Sequence, residues 1–443
     1  MGRLFGTDGA RGIAGSELTA DLAMKIGASA AYVLGENKKI KVIVGMDTRY
    51  SCDMLACAVN AGLLSMGADV IFVGVVPTPA VSFLVTHLNA DMGVMISASH
   101  NPAKYNGIKL FNNKGYKLAD EIEEKIEHYI LDEELPECMN IGSYERNADL
   151  KNKYIDFLYS LASDYNGLKV VVDCANGSAS ATAPSLFKKL NVNTEIIFDN
   201  PDGVNINDNC GSTHLESLIS KVKETSADLG IAYDGDADRC LLVTDVGEVI
   251  DGDFILAICG KELKEKRKLN NNAIVGTVMS NLGLRKFCER ENINFVATKV
   301  GDRYVLEEML DKDYVIGGEQ SGHVIFKEYA NTGDGELTSL MVLNILSEKK
   351  CKLSELASIM NKYPQVLVNV NVTREGKETF NDDSEIKEFV SKCEAELNGD
   401  GRILIRASGT ENLIRVMIEG KNTEEISKMA NGIAHLINKK FGI

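Results

Sequence analysis

Short apolar runs separated by helix-length stretches set the first limit on this chain. KVIVGM at 41–46, DVIFVGVV at 69–76, MGVMI at 92–96, LKVVVD at 168–173, LGIAY at 229–233 and AIVGT at 273–277 are such runs. Runs of this length, rich in β-branched residues and bounded by turn formers, read as strands buried on both faces. Strand and helix alternating in this way predict α/β units with mostly parallel, covered sheets.

The order supports three such units and a different fourth. Helices are expected at 19–34, 53–66 and 80–88, around strands at 41–46, 69–76 and 92–96. A return strand at 106–111 and an acidic helix at 119–131 close the first unit, and polar residues 132–150 suit an irregular link. The second unit takes strands at 168–173, 194–198, 229–233 and 240–244, with a long polar loop at 199–212. The third takes strands at 273–277, 294–298, 314–316 and 324–326. From Pro364 the texture changes to strands at 366–372, 402–405 and 413–418 with helices at 383–398 and 423–438. The expected organisation is therefore α/β domains over 1–150, 151–253 and 254–364, then a smaller α+β domain over 365–443. The shared pattern suggests internal repetition, although no strong sequence repeat is visible.

Charge and cysteine usage remove several function classes. A net charge of −16, from 48 basic and 64 acidic side chains, argues against nucleic-acid binding. It leaves an anionic small molecule open, because local loops can be basic on an acidic protein. No apolar run approaches the ~20 residues of a membrane span. The N-terminus has no apolar signal region, and Gly2 is followed by Gly6 where myristoylation needs Ser or Thr. Ten scattered cysteines without a Cys-x-x-Cys pair fit a reducing cytoplasm, with neither a zinc site nor a disulfide framework.

Five stretches carry chemistry. The strand at 92–96 runs into Ser97-Ala98-Ser99-His100-Asn101-Pro102, which presents a serine where α/β sheets bind ligands. Ser99 is expected on a surface loop as the covalent residue, and needs activating neighbours. A helix N-cap is the alternative, and a serine hydrolase lacks its Gly-x-Ser-x-Gly elbow. Asp234, Asp236 and Asp238 can converge on one hard cation from a glycine-containing loop. Arg239 at the sixth position and a following strand exclude an EF-hand. Magnesium bridging to a phosphate oxygen suits the open coordination, and a solvated acidic turn is the alternative. Glu319 and Ser321, in a glycine-flanked loop, can bind adjacent sugar hydroxyls, with His323 acting nearby or simply filling the core. Arg406-Ala407-Ser408-Gly409-Thr410-Glu411-Asn412, with Arg415, reads as an anion cradle or as the polar tip of a hairpin. At the N-terminus, Phe5 to Gly12 (FGTDGARG) has three glycines and reads as a loop whose backbone can approach a ligand. Arg11 could place its guanidinium on a phosphate there, a tight turn being the alternative, and Lys109 could lie close to the serine.

Taken in order, FGTDGARG, ISASHNP, DGDADR, VGDRYV, GGEQSGH and RASGTENLIRV resemble the α-D-phosphohexomutase superfamily and, within it, the bacterial phosphoglucosamine mutase family. The resemblance covers essentially the whole chain. It implies four domains around a central active-site cleft. By it, Ser99 would be a phosphoserine, and Asp234, Asp236 and Asp238 would hold Mg2+ together with a phosphoserine oxygen. Arg11, His100, Lys109, Arg239 and His323 would surround the reacting phosphoryl group, with Lys109 handling a proton. Gly301, Asp302, Arg303, Glu319 and Ser321 would contact the sugar. Arg406, Ser408, Gly409, Thr410 and Arg415 would grip its non-transferring phosphate. Asn412 stands where the family usually has proline, which touches the stiffness of that loop and not its donors. The implied activity interconverts glucosamine 6-phosphate and glucosamine 1-phosphate through a 1,6-bisphosphate, which also serves as activator, and feeds UDP-N-acetylglucosamine synthesis. A homodimer is left open. The alternatives are a phosphoglucomutase or phosphomannomutase of the same superfamily, a sugar-phosphate-binding protein without catalysis, and a hydrolase.

Overall fold

The computed structural model describes all residues except 1, 2, 7, 36, 37, 139, 166 and 409–411. The chain divides into two compact units, Met1–Met279 with Asn292–Ile359, and Ser280–Glu291 with Met360–Ile443.

The larger unit holds three sheets among its described residues. The first contains β1 (Phe5–Gly6), β2 (Gly9–Ile13), β3 (Lys41–Met46), β4 (Asp69–Val75), β5 (Met92–Ile96), β6 (Tyr105–Asn112) and β7 (Tyr144–Arg146). Their spatial order is β1-β2-β6-β5-β3-β4-β7. The second contains β8 (Lys169–Asp173), β9 (Asn193–Ile197), β10 (Leu229–Tyr233), β11 (Cys240–Thr244) and β12 (Val249–Ile250), in the order β12-β11-β10-β8-β9. The third contains β13 (Ala273–Thr277), β14 (Asn294–Thr298), β15 (Ile316–Gly318) and β16 (Val324–Phe326), in the order β14-β13-β15-β16. Central strands are buried on both faces because helices cover them: every residue of β5, β10 and β13 is buried. Each buried Val, Ile, Leu or Met side chain contributes about 1.5–3 kcal/mol.

The three sheets repeat one feature that positions the site. Each has parallel strands that give way to an antiparallel neighbour, at β5/β6, β10/β11 and β15/β16. The short connection at each change of direction carries one of the chemical motifs: Ser99, the three aspartates, and Glu319 with Ser321.

The smaller unit has β17 (Gln365–Asn371), β18 (Gly401–Ala407) and β19 (Leu413–Gly420) in the antiparallel order β17-β19-β18. Helices Ser384–Leu397 and Thr423–Phe441 contribute Ile386, Cys393, Ile426, Ile433 and Ile437 to its core, packed with Ile414, Val416 and Ile418. Fully buried Glu419 accepts from Asn281 Nδ2 (2.9 Å) and Leu282 N (3.1 Å) and pairs with Arg402.

Several local expectations change. FGTDGARG is not a free loop: Phe5–Gly6 and Gly9–Ile13 pair as strands, and Gly9–Ile13 continues onto β6. Gly9 has φ 82°, and a Cβ there would meet Ile108 O at 2.3 Å, so this glycine admits the chain's own neighbouring strand. The link 132–150 contains the edge strand β7, whose three exposed residues offer no alternation to read. The strand expected at 314–316 lies at Ile316–Gly318 instead, its two glycines disguising it because glycine is depleted in strands. Helices Leu353–Ala357 and Arg374–Thr379 are too short to show a period. No helix among the described residues is long and apolar enough to cross a membrane.

Candidate active site

Ser99 follows the buried strand β5 and has φ 51°, a left-handed conformation that costs a non-glycine residue about 1–3 kcal/mol. Its surroundings hold it there. Ser99 N donates to Ser97 Oγ (2.9 Å), and Ser97 Oγ donates to Asp47 Oδ2 (2.7 Å). Asp47 also pairs with Arg49 Nε at 2.8 Å, both side chains being fully buried. The Arg49 guanidinium then donates to the carbonyls of Ser99 (2.9 Å), Asn101 (2.8 Å), Pro102 (2.7 Å) and Tyr105 (3.1 Å). Asn207 Nδ2 adds a second donor to Ser99 O at 2.9 Å. The serine is therefore not on a surface loop: it is 1% exposed, because this clamp draws its loop inward.

The aspartate loop closes over the serine. A Cβ at Gly235 would meet Ser99 O at 2.5 Å, so the close approach of the two loops requires glycine. Ser99 Oγ donates to Asp234 Oδ2 at 2.5 Å. Asp236 Oδ2 accepts from Thr78 Oγ1 (2.5 Å) and Lys109 Nζ (2.8 Å). Asp234, Asp236 and Asp238 are all buried, and one carboxylate oxygen from each lies within 4.8 Å of the other two. Asp236 Oδ1 and Asp238 Oδ1 are buried without a hydrogen-bond partner. Converging hard oxygen donors with uncommitted lone pairs fit a divalent cation such as magnesium. Burial, then the charges of Asp238 and Asp236, pushes the Asp234 carboxyl well above its ordinary range. Burial also raises Asp236, but Lys109 and Thr78 outweigh it and hold that group low.

A ring of alternating charge surrounds this pair of loops. Burial disfavours the Lys109 ammonium, yet Asp236, Asp8 and Asp238 raise its pKa above the ordinary lysine value. Its Nζ lies 2.8 Å from Asp236 Oδ2 and 3.4 Å from Asp238 Oδ2. Asp8 pairs with Arg11, Lys109 and Lys117, and Lys117 Nζ continues to Asp302 Oδ2 at 2.5 Å. Arg239 N donates to Asp234 Oδ1 at 3.2 Å. His100 Nδ1 lies 3.4 Å from Ser99 Oγ. Burial, Arg239 and Arg11 lower the His100 pKa to about 4, so its imidazole is neutral at neutral pH.

The third loop is tied more lightly. Glu319 Oε1 accepts from Gly301 N at 3.0 Å. Gln320 Nε2, Ser321 Oγ and His323 Nδ1 are buried without partners. His323 Nε2 accepts from Gly333 N at 3.2 Å and lies 3.4 Å from Asp302 Oδ2. Of the three residues expected to touch sugar ahead of this loop, Gly301 donates to Glu319 and Asp302 pairs with Lys117. Arg303 pairs with Asp120 and Glu123 of helix Asp120–Leu131, so its charge is satisfied inside the protein.

In the smaller unit, Arg406 and Arg415 stand opposite each other on β18 and β19. Burial and the neighbouring Arg415 lower the Arg406 pKa. Ser408 is buried, its N–H donating to Leu413 O at 2.9 Å. Gly409 and Thr410 lie outside the described residues.

Sequence reasoning missed Asp47, Arg49, Thr78, Lys117 and Asn207. Asp47 and Arg49 carried one usable signal, their position just past the carboxyl end of central strand β3, where α/β sheets collect functional groups. Lys117 and Asn207 carried none.

Four family descriptions match the chain in order. They are phosphoglucomutase/phosphomannomutase alpha/beta/alpha domain I at 2–137, domain II at 152–247, domain III at 251–363 and the C-terminal domain at 367–436. A phosphoglucosamine mutase of Clostridium botulinum (strain Kyoto / Type A2) is 53% identical over 447 residues, covering 99% of this chain and 100% of the relative. One of Alkaliphilus oremlandii is 53% identical over 448 residues, covering all of both chains. The crystal structure of a phosphoglucomutase/phosphomannomutase family protein from Burkholderia thailandensis superposes with a TM-score of 0.82 at 26% identity, covering 99% of this chain and 98% of that one. With all four domains matched in order over a serine, a carboxylate triad and a lysine already brought together in space, the chain belongs to the phosphoglucomutase/phosphomannomutase family.

Proposed function

We propose that this chain is a mutase that interconverts glucosamine 6-phosphate and glucosamine 1-phosphate, with phosphorylated Ser99 as the phosphoryl carrier. The observation that carries this reading is the Ser99 hydroxyl, buried and 2.5 Å from a carboxylate of the three-aspartate cluster. A nucleophile in that setting can accept and return a phosphoryl group beside a metal. The amino sugar is supported by full-length relatives that bear the name phosphoglucosamine mutase.

In the first half-reaction the bond from phosphorus to Ser99 Oγ breaks and a bond to sugar O1 forms, while the O1 proton leaves to a base. The resulting 1,6-bisphosphate turns over in place. Its 6-phosphoryl group then passes to Ser99 Oγ, and O6 regains a proton. Held by Asp234, Asp236, Asp238 and a phosphoserine oxygen, magnesium would supply positive charge to the transferring group. Lys109, Arg11 and Arg239 add fixed charge around the same group, which suits a transfer limited by positioning and electrostatics. Glu319 and Ser321 take sugar hydroxyls, and His323 borders them. Arg406, Ser408, Gly409, Thr410 and Arg415 take the phosphate that is not being transferred. The bisphosphate primes an unphosphorylated serine and so acts as activator. The domain bounds 1–150, 151–253, 254–364 and 365–443 belong to the same reading.

Peptide mapping by mass spectrometry, coupled to an assay on glucosamine 6-phosphate with magnesium, tests it. Phosphate on Ser99 and formation of the 1-phosphate are expected, with Ser99→Ala losing about 10⁴-fold or more in turnover. Faster turnover of glucose or mannose phosphates would move the chain to a sister activity. A Ser99→Ala variant with near-normal turnover would remove the phosphoserine from the mechanism.

A further inference from the structure

Thr78 is fully buried and is the first residue of helix Thr78–His87, set between Pro77 and Pro79. It holds Asp236 twice. Its N–H donates to the Asp236 carbonyl at 2.9 Å, and its hydroxyl donates to Asp236 Oδ2 at 2.5 Å. Lys109 Nζ donates to the same Oδ2 at 2.8 Å. A carboxylate oxygen has about two lone-pair sites, so Oδ2 is filled. The other oxygen, Oδ1, is buried and has no partner. Thr78 is β-branched and fully buried, so its χ1 is restricted and its hydroxyl has little freedom to let go.

We infer that Thr78 is a positioning residue that restricts Asp236 to one-oxygen ligation and thereby biases the carboxylate site toward magnesium over calcium. This rests on the proposed metal role of the three aspartates. Magnesium is small, keeps near-ideal octahedral geometry and takes one oxygen from each carboxylate; calcium is larger and accepts both oxygens of one carboxylate. An Asp236 whose Oδ2 is occupied can offer only Oδ1, the arrangement that suits the smaller ion. Thr78→Val keeps the branched shape and removes the hydroxyl, so the carboxylate can swing and present both oxygens. Thr78→Ser keeps the hydroxyl.

The experiment uses the full chain without sugar. Bound Mn2+ is read from the loss of the free-ion electron paramagnetic resonance signal, then displaced with Mg2+ or Ca2+. The wild type and Thr78→Ser are expected to prefer magnesium. Thr78→Val is expected to lose about tenfold in magnesium affinity, as outer partners of metal ligands commonly cost, with a smaller change for calcium. Thr78→Ala serves as a second hydroxyl-free variant should the valine form fail to fold, and thermal melts establish which forms are folded. An unchanged magnesium-to-calcium ratio in the folded hydroxyl-free variant overturns the role of Thr78. A wild type that binds none of the three ions overturns the metal reading beneath it.

Discussion

The loop from β5 to β6 and the loop from β15 to β16 occupy equivalent places in their sheets, yet they are built to opposite ends. Around Ser99 the polar groups are committed: Arg49 reaches four carbonyls, Ser97 holds the Ser99 N–H, and Asp234 takes the hydroxyl. Around Glu319 three side-chain atoms are not: Gln320 Nε2, Ser321 Oγ and His323 Nδ1 are buried without partners. A buried polar atom left unpaired costs about 1–3 kcal/mol, which a ligand can return on binding. A reacting atom, by contrast, must be held to within a fraction of an ångström whatever the ligand does. On the proposed function, the same supersecondary connection would fix a nucleophile in one sheet and keep donors open for a substrate in another.

Variants in the two loops should therefore move different kinetic constants. Arg49→Lys preserves the buried charge opposite Asp47 but cannot reproduce the planar fork that spans four carbonyls. It is expected to lower kcat by about 10²-fold, the scale of a small misplacement of a reacting group, with KM nearly unchanged. A rise in KM with kcat preserved would break the comparison. Ser321→Ala should do the reverse, raising KM about tenfold, or roughly 1.4 kcal/mol, with kcat little changed. Steady-state kinetics on the sugar 6-phosphate reads both.

Glu336 supplies a control outside either loop, with an effect on stability alone. It is fully buried and accepts from Thr182 Oγ1, while its Oε2 has no partner. Burial pushes its pKa up to about 8, only partly opposed by Thr182. Between the ordinary glutamate value and about 8, the folded chain keeps a proton that the unfolded chain has released. Stability contributed by this group is therefore present at low pH and is lost as pH rises through that window. Glu336→Gln should remove the loss, so its melting temperature should exceed that of the wild type by about 2 °C or more near pH ~8.5 and match it near pH ~5. Thermal melts at the two pH values check this, and equal differences at both would place the proton elsewhere.

Much of the architecture was legible because each segment signals its own state. Runs such as Met92–Ile96 and Leu229–Tyr233 are apolar throughout since both faces are covered, and the structure places strands on those residues. Short or exposed elements such as Tyr144–Arg146 were not legible, because three exposed residues carry no period. Ser99 and the aspartates could be named from local chemistry: a serine at a strand end and three carboxylates at alternate positions announce themselves in one stretch.

Their support could not be named that way. Thr78 lies 158 residues from Asp236, and Asn207 lies 108 from Ser99. By itself, the sequence determined the order of strands and helices, the change of texture near Pro364, and the residue types that could do chemistry. Only the tertiary structure decided that Ser99 is enclosed rather than exposed, that Lys109 is a charge held by carboxylates, and that Arg303 is bound to Asp120 and Glu123. The physical reason is range. Strand and helix patterns arise from periodicities a few residues long, whereas burial, charge and hydrogen-bond satisfaction depend on groups that meet only once the sheets have packed.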